Sequence, residues 1–253
     1  MKLLVSAFAF APNTGSEPGV GWRWAIELAK DHDVTVITDV TRRPLVEKAA
    51  CDFPQRLKVV YFRPSWLLRV PLNSSTAPLL YVMWQFGLLR FARLLHQQEQ
   101  FDAALHITYS VFRHPSFLGF LGIPFMFGPL GGGEDAPLRL KKSIKGKEKV
   151  KEVLRSIANK LALFDPFLWI AYAKATLILV STEQTRTALP WPYRSRAVVF
   201  PNLGAEAFER SAPSTRREGD PLELLFAGRL HGWKGAHLAI RALARAKKEK
   251  VEA

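Results

Sequence analysis

Two cationic side chains near the end of the sequence could bind a diphosphate. A strand predicted at Glu223–Ala227 ends in Gly228 and Arg229, a short loop carries Lys234 and Gly235, and a helical pattern follows. Arginine binds phosphates with its planar guanidinium fork and lysine acts as a point charge. Gly235 lets the helix begin close to a ligand. This arrangement predicts a diphosphate site, and exposed surface charge is the alternative.

A glycine-rich loop, Gly128–Glu134, follows another predicted strand. Successive glycines permit backbone torsions and a close approach to a ligand that other residues do not allow. Open α/β sheets bind ligands at the carboxyl ends of their strands. We therefore predict that Gly131, Gly132 and Gly133 face a ligand and that Glu134 is placed to bind substrate hydroxyls. A mobile loop without a ligand is the alternative.

A histidine lies near the end of the strand predicted at Ala103–Ile107, and polar residues that include Tyr109 follow it. A single histidine is more often structural, but the carboxyl end of a strand with polar residues after it makes a site role for His106 as good an interpretation as a structural one. The other five histidines show no metal-ligand spacing. We therefore predict His106 and Tyr109 as site residues and no metal site.

The first strand leads into a sequence rich in glycine and proline before a helix predicted at Gly21–Lys30. Backbone amides at a helix N-terminus suit a phosphate, which makes Gly19 and Gly21 candidate phosphate-binding residues. A dinucleotide fingerprint would place a third glycine where Trp24 stands, and only Asp39 is acidic at the end of the second strand. A nicotinamide site is therefore poorly supported.

Short apolar strands alternate with helical stretches along the chain, which predicts a parallel sheet covered on both faces. The predicted strands are Lys2–Phe10, Asp33–Thr38, Leu57–Phe62, Ala103–Ile107, Pro124–Gly128, Ala175–Val180, Arg196–Phe200 and Glu223–Ala227. The predicted helices are Gly21–Lys30, Arg43–Cys51, Ala77–Gln98, Lys147–Phe164, Phe167–Lys174, Thr182–Ala188 and Ala236–Lys250. The expected fold class is α/β, with a Rossmann-like parallel sheet.

The polar segment 209–221 lacks apolar periodicity and is rich in serine, proline and charge, which is typical of a linker. We therefore expect a first domain at 1–208 and the opening strand, loop and helix of a second Rossmann-like domain at 222–253. A complete α/β domain needs on the order of 100 residues more. The sequence is thus expected to be truncated relative to the working protein.

The chain is strongly basic, with a formal net charge of +14, which predicts attraction to polyanions. The stretch Arg139–Lys160 contributes +7 of this charge. It is either a solvated helix face or a surface for phosphates or a membrane. The segment Phe62–Phe101 mixes many large apolar residues with arginines. Core packing is the simpler interpretation, and a partly exposed patch at a membrane interface is the alternative.

The single cysteine, Cys51, excludes an internal disulfide and fits a reducing compartment. No uninterrupted apolar run reaches 18 residues, so no transmembrane helix is predicted. Nucleic-acid binding has the charge in its favour but neither a stacking array nor a reading motif. The predicted location is the cytoplasm, with peripheral contact at the inner face of the plasma membrane as an extension of it.

Several sequence motifs together resemble the group 1 glycosyltransferases, a large retaining family with the GT-B fold. The motifs are GSEPGVGWRWAIELAK, LHITY, GPLGGGE, VSTE, FPNLG and FAGRLHGWKGAHLAIRAL. The last motif is the most diagnostic, and the first and third point to a bacterial subfamily. The resemblance covers nearly the whole chain. It implies two facing Rossmann-like domains with a nucleotide-sugar donor between them and no bound metal or cofactor.

The resemblance also implies roles for individual residues. Gly19 and Gly21 would lie against the donor diphosphate, and His106 would lie near the reacting sugar. Tyr109 and the stretch Gly131–Glu134 would face the acceptor. The family's cationic pair and its helix-opening glycine match Arg229, Lys234 and Gly235. The two cations would hold the diphosphate and stabilise the leaving group.

The sequence therefore predicts transfer of a sugar from a nucleoside-diphosphate sugar to a hydroxyl acceptor, with retention of configuration. Lipid-linked and polysaccharide hydroxyls are both candidate acceptors. The family's paired glutamates would fall after Ala253, so this chain alone is expected to lack turnover. The alternative is a non-catalytic subunit that binds an acceptor or a membrane and pairs with a separate donor-binding chain.

Overall fold

The computed structural model describes residues 1–49, 53–73, 76–135, 146–201, 223–228, 230 and 234–248. The chain divides into two compact units, Met1–Glu134 with Ala158–Gly204 and Asp135–Ile157 with Ala205–Ala253. The predicted linker at 209–221 lies outside the described residues. The predicted domain boundaries at 208 and 222 therefore stay predictions.

Seven parallel strands form one sheet in the first unit. The strands are β1 Lys2–Ser6, β2 Asp33–Asp39, β3 Leu57–Phe62, β4 Ala103–His106, β5 Phe125–Leu130, β6 Leu177–Val180 and β7 Ala197–Val199. Their order is β3-β2-β1-β4-β5-β6-β7. A strand order that reverses beside the first strand, with parallel pairing throughout, is that of a Rossmann-like α/β fold. The predicted fold class is confirmed.

The described α-helices connect and cover these strands. They are α1 Ser16–Leu28, α2 Arg43–Glu47, α3 Ala77–Glu99, α4 Gly146–Leu161, α5 Pro166–Lys174, α6 Glu183–Ala188, α7 Trp191–Arg194 and α8 Ala236–Lys248. Short 3-10 turns lie at Val40–Arg42, Ser65–Leu67, Leu118–Leu121 and Ala162–Phe164.

The hydrophobic core lies on both faces of the sheet because successive strand residues point to opposite sides. Leu4 packs on one face with Trp84 of α3 and Tyr172 of α5. Leu3 and Val5 pack on the other face with the small buried residues of α1. Burial on both faces explains why the strands are apolar at consecutive positions.

Several of the sequence predictions about these elements are wrong. The strand predicted at Lys2–Phe10 ends at Ser6. The predicted strand Glu223–Ala227 is absent, since these residues are exposed and form no strand. A strand needs a neighbouring strand to accept and donate its backbone hydrogen bonds, and none of the described strands pairs with these residues. Helix α1 begins at Ser16 instead of Gly21. Pro18 fits in the first turn because backbone N–H groups there have no partner within the helix, so a proline costs no hydrogen bond.

The apolar segment at 62–101 is buried in the core at some positions and exposed at others, and its predicted contact with a membrane stays a prediction. Leu80, Tyr81, Trp84 and Leu88 of α3 are buried in the core, whereas Phe86 on the same helix is 55% exposed. Phe86 packs edge-on against Phe167 of α5 at 6.3 Å between ring centres and so belongs to an aromatic surface. Among the described helices, none is both long and apolar enough to cross a bilayer.

Candidate functional site

The predicted site residues of the first unit gather where the central strands end. In the sheet register, Ser6 of β1 lies beside His106 of β4, and His106 lies beside Phe127 of β5. Two of the connections that leave this edge are the β4 loop at 107–115 and the β5 loop at 131–135. Parallel strands bring their carboxyl ends to one edge, as the sequence analysis required.

The β4 and β5 loops are hydrogen-bonded to each other. The Gly131 amide donates to the Ser110 carbonyl at 2.8 Å, and the Phe112 amide donates to the Gly131 carbonyl at 2.9 Å. Val111 and Gly131 form an isolated parallel bridge. The two loops that carry predicted site residues therefore form one continuous piece of backbone structure.

His106 is fully buried, and its Nε2 atom lies 2.9 Å from the Tyr81 hydroxyl. Burial lowers the pKa of His106 to about 3; interaction with the Thr108 backbone opposes this shift, and the nearby His114 adds to it. The imidazole is therefore neutral at physiological pH. Because its Nδ1 atom makes no hydrogen bond of ordinary geometry within the described structure, His106 has one polar atom uncommitted.

Aromatic rings enclose this histidine. The Tyr81 ring stacks on the Tyr109 ring at 5.5 Å and lies 5.4 Å from the ring of His114. Phe8 meets both tyrosines edge-on. Burial raises the pKa of Tyr81 above its ordinary value and lowers that of His114 to about 4. The histidines and tyrosines of this cluster are therefore uncharged at neutral pH.

Tyr109 has a left-handed backbone conformation, with φ of 54°, which is unfavourable for a residue with a side chain. Its amide donates a 2.9 Å hydrogen bond to Oε2 of Glu17, in the first turn of α1. Burial raises the pKa of Glu17, and the hydrogen bond from Tyr109 partly opposes that shift. Glu17 was not predicted as a site residue, although an acidic residue in a helix's first turn was a signal that could have identified it.

Glu134 closes the β5 loop onto the start of α6. Its Oε2 accepts from the Gly132 amide at 2.9 Å, and its Oε1 accepts from Thr182 Oγ1 at 2.7 Å and Thr185 Oγ1 at 2.8 Å. Partial burial acts to raise the pKa of Glu134, but the hydrogen bonds outweigh it and the net pKa is lowered. The carboxylate holds the loop in place, and its predicted contact with substrate hydroxyls stays a prediction.

The β5 loop needs glycine at its centre. Gly132 has φ of 86°, a conformation that a residue with a side chain rarely adopts. Its carbonyl accepts a 3.2 Å hydrogen bond from Asn159 of α4, and Arg113 donates to the same asparagine at 2.9 Å. The ligand-facing role predicted for Gly131, Gly132 and Gly133 stays a prediction, and so does the alternative of a mobile loop.

Gly19 and Gly21 lie inside α1, not in a loop before it. A Cβ on Gly19 would meet the Thr14 carbonyl oxygen at 1.9 Å, and one on Gly21 would meet the Ala9 carbonyl oxygen at 2.6 Å. Both glycines therefore allow the helix to approach the chain that follows β1. This packing accounts for the residues, and their predicted contact with a diphosphate stays a prediction.

Asp39, the one acidic residue at the end of β2, forms a buried ion pair. Its carboxylate accepts from Arg63 Nε at 2.8 Å and Nη2 at 2.7 Å, and from the Thr41 amide at 3.0 Å. Arg63 also donates to the Val70 carbonyl at 2.9 Å. The pair ties the ends of β2 and β3 to the segment before α3. Its oxygens are committed to these contacts.

The predicted cationic diphosphate residues and Gly235 belong to the second unit. Arg229 lies outside the described residues. Lys234 is exposed, and Gly235 adopts φ of 76° just before α8. The Gly235 carbonyl accepts hydrogen bonds from the amides of Leu238 and Ala239, so this glycine does start the helix as expected. The convergence of Arg229 and Lys234 on a ligand stays a prediction.

Across the part of the chain that the structure describes, no group of three or more His, Cys, Asp or Glu side chains could hold a metal ion. The absence of a metal requirement stays an expectation from the resemblance.

Comparisons with known proteins give fold-level similarities only. No protein-family model matches the sequence. No curated protein matches it. The Glycyrrhiza uralensis protein UGT73P12, solved with glycyrrhetinic acid 3-O-monoglucuronide, is 12% identical, with a TM-score of 0.42 over 74% of this chain and 46% of its own. The glycotransferase of kitacinnamycin is 14% identical, with a TM-score of 0.42 over 84% of this chain and 55% of its own.

A UDP-galactose 4-epimerase is 13% identical, with a TM-score of 0.28 over 71% of this chain and 54% of its own. The chain thus spans about half the length of these solved structures. Similarities of this size do not extend to activity, which has to be argued from the site itself.

Proposed function

We propose that this chain is the acceptor-side part of a glycosyltransferase that moves a sugar from a nucleoside-diphosphate sugar to a hydroxyl acceptor with retention. The observation that carries the proposal is the hydrogen-bonded junction of the β4 and β5 loops at the carboxyl edge of the sheet. These loops hold the motifs LHITY and GPLGGGE, which resemble those of group 1 glycosyltransferases. Ligands bind open α/β sheets at this edge.

In this proposal the donor is held by residues of the second unit. Arg229 and Lys234 stabilise the negative charge that develops on the departing nucleoside diphosphate, and Gly235 lets α8 begin near the phosphates. The assignment rests on the motif FAGRLHGWKGAHLAIRAL. Neither a metal nor an organic cofactor is assigned, because the two cations supply the positive charge.

The geometry limits the part that His106 can play. A neutral, buried imidazole donates or accepts a hydrogen bond but does not deliver a proton as an imidazolium at physiological pH. We assign His106 to hydrogen bonding near the reacting sugar, with Tyr81 fixing its ring. Tyr109 and the β5 loop then form the acceptor side.

The acceptor in this proposal is a lipid-linked hydroxyl, and the protein works in the cytoplasm at the inner face of the plasma membrane. The support is the basic charge of the stretch 139–160 together with exposed apolar side chains such as Phe86 and Phe167. Polysaccharide hydroxyls are the other acceptor class that the resemblance allows.

The test is transfer of radiolabelled sugar from UDP- and GDP-sugars by the gene product that contains this chain. Arg229→Ala should lower transfer about a hundredfold or more, because a preorganised charge at the leaving group is lost. Arg241→Ala, at an exposed position of α8, is the matched control and should leave transfer unchanged. Undiminished transfer by Arg229→Ala contradicts its role, and no transfer from any nucleotide sugar contradicts the function.

The second candidate is a non-catalytic subunit that pairs with a separate donor-binding chain. The observation in its favour is the exposure of apolar side chains in the second unit, with Leu225 94% and Ile240 69% exposed. Mixing this chain with a donor-binding chain should then give a stable complex and restore transfer. A complex that Ile240→Ser abolishes would support this candidate, and full transfer by one polypeptide would exclude it.

A further inference from the structure

Helix α4 has its apolar residues on the side that faces solvent. Its large apolar residues recur with helical spacing at Val150, Val153, Leu154, Ile157 and Leu161. With 3.6 residues per turn they fall within an arc of roughly 100°, the width of the stripe that usually faces a core. Each of the five is between 47% and 62% exposed. We call these five residues the α4 stripe.

The opposite, polar face of α4 is the one held by the protein. Glu152 is only 9% exposed and pairs with Arg155 at 2.7 Å. In the last turn of the helix, Asn159 donates to the Gly132 carbonyl at 3.2 Å and accepts from Arg113 at 2.9 Å. Because the contacts of Asn159 with Gly132 and Arg113 join the polar face to residues outside the helix, the α4 stripe is directed outward.

Exposed lysines flank the α4 stripe on both sides. On a helical projection Lys147 and Lys151 border one edge of the stripe, and Lys149 and Lys160 border the other. The acidic residues lie on the far face, where Glu152 is engaged by Arg155. The stripe is thus a hydrophobic surface framed by four positive charges.

We propose that α4 lies in the surface of an anionic lipid bilayer, with the α4 stripe at the boundary between headgroups and acyl chains. Helices that lie on membranes combine large apolar residues on one face with lysines that border them. The charge complementarity decides the occupant, since lysines on both edges of an apolar stripe match lipid phosphates around acyl chains. An apolar protein partner would leave these four charges unmatched.

This surface has a direct link to the candidate site through the Asn159–Gly132 hydrogen bond. A helix lying on a bilayer would hold the β5 loop close to the lipid surface. The link to a lipid-linked acceptor rests on the proposed function, whereas membrane binding by α4 does not. The two can therefore fail separately.

The first experiment measures co-sedimentation of the full chain with vesicles of phosphatidylcholine alone or with 30% phosphatidylglycerol. We expect at least tenfold stronger binding to the anionic vesicles, and the excess should fall as salt screens the charges. Val153→Ser with Ile157→Ser should weaken binding about tenfold or more, as should Lys147→Gln with Lys149→Gln. Leu45→Ser with Lys48→Gln, an exposed pair on and just after α2, is the matched control and should bind as the parent does.

The second experiment attaches an environment-sensitive fluorophore to Ile157→Cys or, as control, to Leu45→Cys, each with Cys51→Ser. Blue-shifted emission on adding anionic vesicles is expected at position 157 only. Equal shifts at both positions, or unchanged binding by the stripe variants, would overturn the proposal.

Sedimentation velocity without lipid separates the other occupants of the α4 stripe. One outcome would identify the stripe as an interface between copies of this chain and would contradict the proposal. In that outcome the parent chain self-associates, the stripe variants remain monomeric, and the parent binds none of the vesicles. If the parent chain binds no vesicles but transfers sugar to a soluble acceptor, α4 docking is wrong and the proposed sugar transfer stands. If the parent chain binds anionic vesicles but transfers no sugar, the proposed function is wrong and α4 docking stands.

Discussion

The hydroxyl of Tyr81 lies 2.9 Å from Nε2 of His106, and neither side chain reaches solvent. This contact joins helix α3 to the last residue of β4, across 25 positions of sequence. It fixes the imidazole ring, and it places the Tyr81 ring under Tyr109. The helix that covers the sheet therefore also supports the loop that carries the candidate site.

Tyr81→Phe removes the hydroxyl and leaves a buried ring nitrogen of His106 without its partner. An unsatisfied buried polar atom costs about 1–3 kcal/mol, so the free energy of unfolding should fall by that amount. Urea denaturation followed by circular dichroism measures it. Tyr61→Phe, on a half-buried residue of β3, is the control and should change the free energy of unfolding by less than about 0.5 kcal/mol. Equal effects of the two substitutions would contradict a role for the hydroxyl.

Acid should destabilise the fold through His106 and His114, whose pKa values in the folded chain are lowered to about 3 and about 4. Below the ordinary histidine pKa of about 6.5, the unfolded chain binds protons that the folded chain does not, so stability falls as pH falls. Between pH 7.0 and 4.5 each histidine should lower the free energy of unfolding by about 2–3 kcal/mol.

The measurement is urea denaturation of the parent, His106→Asn and His114→Asn at both pH values. Each substitution should reduce the difference between the free energies of unfolding measured at pH 7.0 and at pH 4.5. This holds whatever the substitution does to stability at neutral pH. His32→Asn is the control. An unchanged pH difference in both cluster variants would show that the buried histidines do not govern the acid response.

Glu134→Gln should loosen the β5 loop, because a neutral amide replaces a carboxylate that accepts three hydrogen bonds. Hydrogen bonds to charged groups contribute about 1.5–3 kcal/mol each at most, and a loss of about 1–2 kcal/mol overall is expected. Amide hydrogen exchange at Gly132 should accelerate. Glu183→Gln, whose exposed carboxylate pairs with Arg186, should leave that exchange rate unchanged. Slow exchange in both variants would mean that other contacts hold the loop.

Gly21→Ala tests the close approach of α1 to the chain after β1. The added Cβ would meet the Ala9 carbonyl oxygen at 2.6 Å and Thr108 Cγ2 at 2.8 Å. Overpacking costs about 1–3 kcal/mol, which exceeds the roughly 1 kcal/mol that alanine gains over glycine in a helix. The melting temperature should therefore fall.

Gly15→Ala is the matched control for this substitution, since nothing lies within 4 Å of a Cβ at Gly15. Alanine caps a helix less well than glycine, but it also lowers the entropy of the unfolded chain. The two effects should nearly cancel, so the free energy of unfolding should change by less than about 0.5 kcal/mol. If Gly21→Ala were as stable as Gly15→Ala, the helix would have room to shift, and another reason would be needed for the glycine.

Local pattern was sufficient to predict the strands of the sheet. Leu57–Phe62 was predicted with its observed bounds, and β2 to within one residue, because both are apolar runs bounded by polar residues. The same pattern failed at Glu223–Ala227, which none of the strands in the described part of the chain adjoins. Strand formation depends on a neighbouring strand, and the sequence of five residues does not determine whether such a neighbour is present.

Sequence by itself determined the α/β class, the parallel sheet and the edge where the site would gather, because these follow from periodicity and from the order of elements. The tertiary structure alone decided what the site residues touch. It buried His106 under Tyr81, bound Tyr109 to Glu17 and turned the α4 stripe toward solvent. These contacts join residues that are far apart in sequence. They arise from burial and from the rotation of a helix, and local propensity determines neither.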